Sequence, residues 1–363
     1  MQIASHTSSP ILTTFYALNG VVALLVIVLG GAVFVGRWQA HGPDLFAPVI
    51  PRARQTLLRG LAALWILDGV LQAQPRLATQ FVNDVLVPLQ VGQPKSVDLL
   101  LRLGEHWWSL APWAWDLAAT WMQIGIGIAI LVGREDSGCR WALWASIGWG
   151  LVIWTFGEGF GSLFSGAGWL TGAPGSAFGY VIAAGCLLLP TEAWRTPKFV
   201  RTWRRVIAGG WFLAAVLQMW PADGWWSQRQ LATLIRSQAH MAQPGLTSAP
   251  LYVWGRSVAA NPRSWNAVVS GVFVLMAILW ARREPSPAAW WATVLVTIAT
   301  WWLGQDFGVL GGVGTDPNTG AVVLVALLAY RQLVNGVSVS ALTDGRRAPR
   351  QPEARGRSPG ADP

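Results

Sequence analysis

The sequence contains few charged residues, few cysteines and almost no lysine, and each shortage excludes a class of protein. Charged residues make up 12% of the 363 positions, about half of their share in an ordinary soluble domain. The two cysteines, Cys139 and Cys186, are too few for a disulfide framework or a thiolate metal cluster. Lysine occurs only at Lys95 and Lys198, so the net charge of +9 comes almost entirely from arginine.

Signatures of catalysis and of cofactor binding are missing as well. The chain has no H-x-x-x-H, C-x-x-C or Walker A pattern, so zinc, thiol-redox and ATPase chemistry has no support. The glycines from Gly157 to Gly161 have the spacing of a dinucleotide loop, but they follow an apolar helix rather than a strand. His106 and His240 are isolated, and we expect neither a metal nor a haem site. The sequence predicts a protein without its own catalytic centre.

Long apolar runs take the place of these features. Hydrophobic residues make up 53% of the sequence, which predicts an all-α, polytopic transmembrane helix bundle. We predict about nine spans, at 11–35, 57–72, 113–133, 141–156, 177–189, 206–219, 265–280, a run that ends at 303, and 319–333. Many of the 25 tryptophans lie near the ends of these runs, among them Trp107, Trp115, Trp225, Trp290 and Trp291, and indoles there favour the membrane interface. The lipid bilayer is therefore the expected partner, and no nucleic acid is expected.

The basic residues predict the orientation of the chain. In the nine-span arrangement, 19 of the 26 Lys and Arg residues fall on one side, which the positive-inside rule assigns to the cytoplasm. The N-terminus is then outside and the C-terminus cytoplasmic. The first run lacks the basic region of a signal peptide, so we expect it to remain as a helix. The bias towards arginine, alanine and glycine favours a bacterial cytoplasmic (inner) membrane.

One motif occurs twice. The pattern W-x-x-G-(E/Q)-x-F-G-x-L occupies residues 154–163, here called the first mouth, and recurs at 301–310, the second mouth, 147 residues later. Gln72 and Asp116 likewise recur as Gln218 and Asn266. Two four-helix repeats with an even number of spans each would be parallel, related by an axis along the membrane normal.

The repeat predicts the division of the chain. An N-terminal helix and loop occupy 1–55, the first four-helix repeat 56–193, the second 194–333, and a disordered cytoplasmic tail 334–363. Each repeat contains an outer segment of about 40 residues that reads as amphipathic helices on the outer face. These helices could form a lid over a cavity between the repeats.

The mouths contain the residues that we expect to shape the loops. Glycine there permits positive φ and close approach of the backbone, and Asp316 can cap Asn318 or the helix that follows. The residues expected to build this architecture are Gly157, Phe160, Gly161, Gly304, Phe307, Gly308 and Asp316. Two interpretations stay open: a tight turn that closes a helix pair, or a ligand or ion site.

Four polar residues are candidates for a ligand or proton site. Glu158 is an acid in the first mouth, whereas its counterpart Gln305 is neutral and Asp306 follows it. Asp68 lies eleven residues past Leu57, which at about 1.5 Å per residue places it roughly halfway across the membrane, and Ala214 is its counterpart in the second repeat. An ionisable group at membrane depth suggests function. For Glu158 the alternative is a solvated rim residue, and for Asp68 it is a structural hydrogen bond to a neighbouring helix.

The four-span unit resembles the DoxX-like membrane module. The resemblance rests on topology and glycine spacing over both repeats, including the span that ends at Gly133 and Arg134, and the mouth motif departs from it. It implies a link with quinone-dependent oxidation and redox partners, but it transfers no catalytic residue. The element Thr315-Asp-Pro-Asn-Thr-Gly320 is also similar to one in other multi-spanning bacterial membrane proteins.

Three functions are compatible with these features. The first is a membrane subunit or accessory protein of a respiratory or envelope system, quinone- or lipid-facing, with other membrane or extracytoplasmic subunits as partners. The second is a small-solute or ion permease with a site between the repeats, near Glu158, Gln305 and Asp306. The third is a structural envelope protein, which needs no ligand.

Overall fold

The computed structural model describes residues 10–41, 51–133, 137–227, 230–241, 243–282, 284–310 and 314–347, which are helical and contain no strand. The α-helices are α1 (Pro10–His41), α2 (Arg52–Gln72), α3 (Leu77–Phe81), α4 (Lys95–Ser109), α5 (Pro112–Val132), α6 (Ser137–Val152), α7 (Ser176–Leu188), α8 (Pro197–Met219), α9 (Leu231–His240), α10 (Gly245–Ala260), α11 (Pro262–Arg282), α12 (Pro287–Gln305) and α13 (Asn318–Arg347). Short 3₁₀ or π-helical segments lie at Val82–Leu86, Pro88–Gln90, Ile153–Gly157, Phe160–Ser165, Trp169–Thr171, Thr191–Arg195, Pro221–Asp223 and Asp306–Gly308.

Local sequence signals explain where several helices begin. Proline occupies the first turn of α5, α8 and α12, where its missing N–H costs no hydrogen bond. The Thr196 side chain accepts a hydrogen bond from the Phe199 N–H at 3.3 Å, and Ser286 accepts one from Ala289 at 3.2 Å. These caps satisfy N–H groups that the helix itself leaves unpaired.

Each apolar run predicted to span the membrane coincides with an α-helix, so the all-α prediction is confirmed. Four helical segments are long and apolar enough to cross a membrane: Pro10–Val28, Pro112–Val132, Pro262–Arg282 and Asn318–Val337. A fifth is added if Arg52–Gln72 and Leu77–Gln90, which meet at a bend of 80°, form one broken span. Ser176–Leu188 is apolar but shorter. The chain therefore has the character of an integral membrane protein.

The bundle is built around close helix crossings. On α2, a Cβ at Gly69 would lie 2.7 Å from the Thr120 carbonyl oxygen of α5, and on α5 a Cβ at Gly127 would lie 2.7 Å from that of Ala62. Small residues let helix backbones approach where lipid supplies little hydrophobic driving force. We call residues 56–193 the first half and residues 194–333 the second half. In the second half, helix α8 packs on α11 in the corresponding place. In contrast, α1 lies at the periphery and buries only Phe15 among its described side chains.

The tryptophans are divided between the surface and the core. Trp107, Trp115 and Trp291 are exposed, as expected of residues at a membrane interface. Trp225 and Trp290, for which we expected the same, are buried. The Trp290 indole donates a hydrogen bond to the Leu327 carbonyl at 3.2 Å, and a buried indole needs such a partner. A position at the end of an apolar run therefore does not by itself identify a tryptophan at the membrane interface.

Helix α13 crosses from the second half of the chain to the first. It packs against α12 and α8, but also against α2 and α7. The start of α13 is thereby placed beside the first mouth. The predicted tail, 334–363, begins within this helix, and residues 348–363 lie outside the described residues.

Candidate functional site

The two mouths have the same local geometry. Gly159, Phe160 and Gly161 have positive φ angles of 55°, 60° and 64°, and at the corresponding positions of the second mouth the angles are 45°, 56° and 72°. An edge-to-face ring pair follows in both, Trp154 with Phe160 at 5.2 Å and Trp301 with Phe307 at 4.9 Å. Non-glycine residues in this backbone region are strained, so the surrounding contacts must hold the turn.

Both mouths are fastened to the helix that follows. The Trp154 indole donates to the Pro174 carbonyl at 2.8 Å, and the Trp301 indole donates to the Pro317 carbonyl at 2.6 Å. A Cβ at Gly161 would collide with Pro174, and one at Gly308 would collide with Asp316 and Pro317. Tryptophan and glycine are therefore repeated because each mouth closes against a proline-containing turn.

The acid and the amide at the variable position accept equivalent hydrogen bonds. Glu158 Oε1 accepts from the Ala177 N–H at 3.0 Å and from the Ser176 hydroxyl at 2.7 Å. Gln305 Oε1 accepts from the Gly320 N–H at 3.4 Å. Each oxygen thus satisfies a donor in the first turn of the next helix. The carboxylate of Glu158 adds a charge that this architecture does not need.

The loops after the two mouths extend into opposite halves of the molecule. The first loop inserts Trp169 into the second half, where its indole donates to the Thr300 hydroxyl at 3.0 Å and its carbonyl accepts from Gln305 at 2.9 Å. The second loop brings Thr315 and Asp316 to the first half. Each mouth is therefore completed by the other copy's loop.

The two loops differ in length, and this explains why they insert different side chains into the opposite half. Ten residues, 164–173, separate the mouth leucine from proline in the first copy, but six, 311–316, do so in the second. The longer loop carries Trp169, whereas the shorter one has no aromatic residue. The ring of Trp169 packs 5.1 Å from that of Trp211 and fills the second half at the level of its mouth. The equivalent space in the first half stays open.

This open space is a cavity of about 480 Å³, within the roughly 300–1,000 Å³ range of small-molecule sites. Its floor carries three carboxyl groups, those of Asp68, Glu158 and Asp316. Its walls are mainly aromatic and apolar, with Phe81, Trp107, Trp108, Trp115, Trp149 and Phe156 among them. Leu103 and Trp107 of α4 and Trp115 and Met122 of α5 form its exposed rim.

Ser176 links two of the three acids, and each of the three has a hydrogen-bond partner. The Tyr180 hydroxyl donates to Asp68 at 3.3 Å, and Asp316 accepts from the Asn318 N–H at 2.6 Å. The Ser176 hydroxyl, which donates to Glu158, is also within hydrogen-bonding reach of Asp316. The carboxyl groups of Glu158 and Asp316 are close enough to Asp68 to interact with it electrostatically.

Burial changes the proton affinity of the two acids that lie outside the helices. Burial, followed by the negative charge of Asp316, raises the pKa of Glu158 from its ordinary value of 4.5 to about 7. Burial also raises the pKa of Asp316, although its bonds with Ser176, Asn318 and Thr315 oppose the shift. Charged carboxylates in a poorly solvated place repel each other and favour protonation. Burial therefore favours the protonated form of both acids.

A glutamine that donates to a second polar residue also occurs in both halves. Gln72 donates to Asp116 at 2.5 Å, and Gln218 donates to Asn266 at 2.7 Å. All four residues are buried. The pairing joins α2 to α5 and α8 to α11, so it acts as a structural link between packed helices.

No protein-family model, curated protein or solved structure matches this chain. The candidate site is therefore defined by its own geometry.

The structure brings together some of the predicted site residues and separates others. Asp68 and Glu158 line the cavity with Asp316, which we predicted only as a cap. Gln305 and Asp306 lie outside the cavity lining. Asp306 accepts from Gln243 at 3.3 Å, and burial raises its pKa to about 6. The predicted grouping of Glu158 with Gln305 and Asp306 is thus not the arrangement that the structure shows.

The sequence alone did not single out Ser176, Tyr180 and Gln123. Ser176 could have been found by aligning Pro174 with Pro317, which places it opposite Thr319. Tyr180 and Gln123 carry no comparable signal, because only packing shows that they face the same cavity. In the described part of the chain, no group of three His, Cys, Asp or Glu residues has the arrangement of a metal site.

Proposed function

We propose that this protein is a small-solute permease whose binding site is the acid-lined cavity of its first half. The supporting observation is the difference between the two halves. Trp169 of the first loop packs at the second mouth, whereas the cavity beside the first mouth contains three carboxyl groups. Asp116 and Asp306 are buried as well, but each accepts a hydrogen bond from a glutamine amide and neither lines this cavity. Three acids around one open space are costly unless an occupant offsets their charge.

The proposal includes the finer architecture. The chain would have nine spans, an N-terminal helix followed by two parallel four-helix repeats, in a bacterial inner membrane with the N-terminus outside. The matched contacts of the two mouths support the repeat, and the arginine distribution supports the orientation. The site would lie within the first repeat and be completed by the second, rather than between two equivalent halves.

Variants that block the cavity test this function. Ala118 is an exposed residue of the cavity lining, so Ala118→Trp should fill the space from the rim without disturbing the core. Leu131→Trp places the same side chain on an exposed site of α5 outside the lining. In proteoliposomes we expect uptake of at least one labelled solute from a panel of cations, anions and neutral molecules. Ala118→Trp should abolish this uptake, and Leu131→Trp should retain it.

A second observation favours a different function. An apolar crevice of about 370 Å³ lies between α7, α8 and α13, and it would accept an isoprenoid or acyl tail. This crevice fits the quinone- or lipid-facing accessory subunit that the DoxX-like resemblance implies. If solute uptake is absent and the purified protein retains a quinone or a partner complex, this function replaces the permease. A protein with neither ligand nor partner would instead be a structural component of the envelope.

A further inference from the structure

The charge of the cavity selects the kind of ligand. Three carboxyl groups converge at one end, and no Lys, Arg or His occurs among the described residues that line it. A positive group placed there would be attracted by each acid and would relieve the repulsion between them. Two indole N–H groups, those of Trp108 and Trp149, are buried there without a partner, but an anion would still be repelled by the three carboxylates when they are ionised.

The aromatic walls of the cavity determine which kind of molecule can carry this positive charge. Trp107, Trp108, Trp115 and Trp149 contribute four indoles. Indole faces attract cations electrostatically and also supply apolar contact area. A small hydrated metal ion would use neither property, whereas an organic ammonium group would use both.

Unpaired polar atoms indicate that the site is incomplete without an occupant. Gln123 lines the cavity with only 4% of its surface exposed, and its Oε1 has no hydrogen-bond partner. Glu158 Oε2 is also buried and without a partner. Buried acceptors of this kind are costly when unpaired. Gln123 Oε1 is suited to an N–H donor or to the positive end of a ligand, whereas Glu158 Oε2 packs against Gly175.

We infer that the cavity binds an organic cation, a protonated amine or quaternary ammonium group on an apolar or aromatic body. The inference rests on the proposed function, because it names the substrate class of the same site. The cationic group would lie among Asp68, Glu158 and Asp316, and the apolar body would lie between α4 and α5. A bound cation would favour ionised carboxyl groups, so binding would release protons and strengthen as the pH rises through neutrality.

Matched probes can separate charge from shape. Benzyltrimethylammonium and neopentylbenzene have the same shape, but only the first is charged. Benzenesulfonate adds a negative charge to a similar body, and a short-chain benzoquinone represents the alternative ligand. Equilibrium dialysis of the full-length protein in lipid nanodiscs, corrected with empty nanodiscs, measures each affinity. We expect the ammonium probe to bind at least tenfold more tightly than the other three.

Conservative variants locate the charge. Glu158→Gln, Asp68→Asn and Asp316→Asn keep an oxygen at each acceptor position and remove the ionisable group. Each should weaken ammonium binding by about tenfold, as expected from the loss of one nearby charge. Asp98→Asn is the control, because Asp98 pairs with Arg102 at 2.9 Å on α4 and does not line the cavity. Its affinity should equal that of the unmodified protein.

The outcomes distinguish the inference from the proposed function. If the neutral, anionic or quinone probe binds as tightly as the ammonium probe and Ala118→Trp blocks it, the inference is wrong and the solute site stands. If ammonium binding occurs but none of the three acid variants weakens it, the inference is also wrong. If no probe binds and no solute enters proteoliposomes, both fail. Should one acid variant lose its fold, the other two still decide the question.

Discussion

Glu158 and Gln305 show how one position can keep its structural role and change its chemistry. Both side chains present an oxygen to a backbone N–H in the first turn of the following helix. An amide and a carboxylate of the same length are interchangeable for this bond. They differ in charge, and only Glu158 lies beside a cavity with other acids. The natural replacement in the second copy is therefore a guide to mutagenesis in the first.

We expect Glu158→Gln to change the pH dependence of stability. The raised pKa of about 7 for Glu158 means that the folded protein holds this proton more tightly than the unfolded chain. The stabilisation of the fold by this bound proton is complete below about 4.5, the pKa in the unfolded chain, and is lost as the pH rises through about 7, the pKa in the folded protein. The glutamine side chain of the variant cannot ionise. The melting temperature of the variant should therefore fall less than that of the unmodified protein between about pH 5 and pH 8. Thermal unfolding in detergent measures this difference.

Leu131→Trp, which changes no ionisable group on an exposed site of α5, is the control, and its melting temperature should fall as steeply as that of the unmodified protein. An identical decline in Glu158→Gln would contradict the assignment, because the decline would then come from other acids.

Gly161 tests the strained turn of the first mouth. Its φ of 64° disfavours any residue with a Cβ, and that atom would collide with the Pro174 carbonyl. Gly161→Ala should destabilise the protein by about 2–4 kcal/mol, since strain and overpacking act together. Gly185→Ala on α7 is the matched control, because a Cβ there meets nothing within 4 Å. Denaturation in detergent should show little loss for Gly185→Ala, and equal losses would refute the steric account.

At the scale of the element, the crossing of α2 and α5 supports one side of the cavity. Asp68 and Gln72 are on α2, and Gln123 is on α5. The helices approach closely because Gly69 and Gly127 each present no side chain to the backbone of the partner helix. Cavity geometry therefore depends on residues that are not part of its lining.

Two glycines on α5, two residues apart, test this dependence. Gly127→Ala would place a Cβ 2.7 Å from the Ala62 carbonyl oxygen, whereas Gly125→Ala meets nothing within 4 Å. We expect Gly127→Ala to lower stability by about 1–3 kcal/mol and to weaken ligand binding. Gly125→Ala should leave both unchanged or slightly improve stability, because alanine is the better helix former. Similar behaviour of the two variants would mean that the crossing is not tightly packed.

At the scale of the whole molecule, the exchange of loops makes the two halves mutually dependent. Trp169 of the first loop occupies the second half, and Asp316 of the second loop lines the cavity in the first. The loops also meet each other, because the Thr319 hydroxyl donates to the Gly172 carbonyl. The complete site therefore requires the chain on both sides of residue 194.

Cysteine labelling in intact cells tests the orientation of the whole chain. In a background without Cys139 and Cys186, cysteines introduced beside Arg134, Arg201 or Arg283 should resist a membrane-impermeant maleimide, because these loops are predicted to be cytoplasmic. Lys95→Cys, in the predicted outer segment, should react. Opening the cells should expose the first three sites. Labelling of those sites in intact cells would overturn the nine-span orientation.

The predictable part of the fold depends on local signals. Apolar runs located the helices because burial and lipid contact act on consecutive turns. The glycines and aromatics of the mouths were identified because Trp154 and Trp301 begin the same pattern. Asp316 was expected to cap Asn318 or the helix that follows, and it accepts a hydrogen bond of 2.6 Å from the Asn318 N–H. Trp225 and Trp290 were misplaced because position in an apolar run does not reveal which face packs inward.

The sequence by itself determined the membrane character, the helices, the recurrence of the mouth motif and the contrast between Glu158 and Gln305. These follow from composition, periodicity and internal comparison, which need no knowledge of distant contacts. Only the tertiary structure decided that Asp68, Glu158 and Asp316 share one cavity while Asp306 lies apart. The physical reason is the crossing of α13 and the unequal loops, which join positions more than 130 residues apart in the chain.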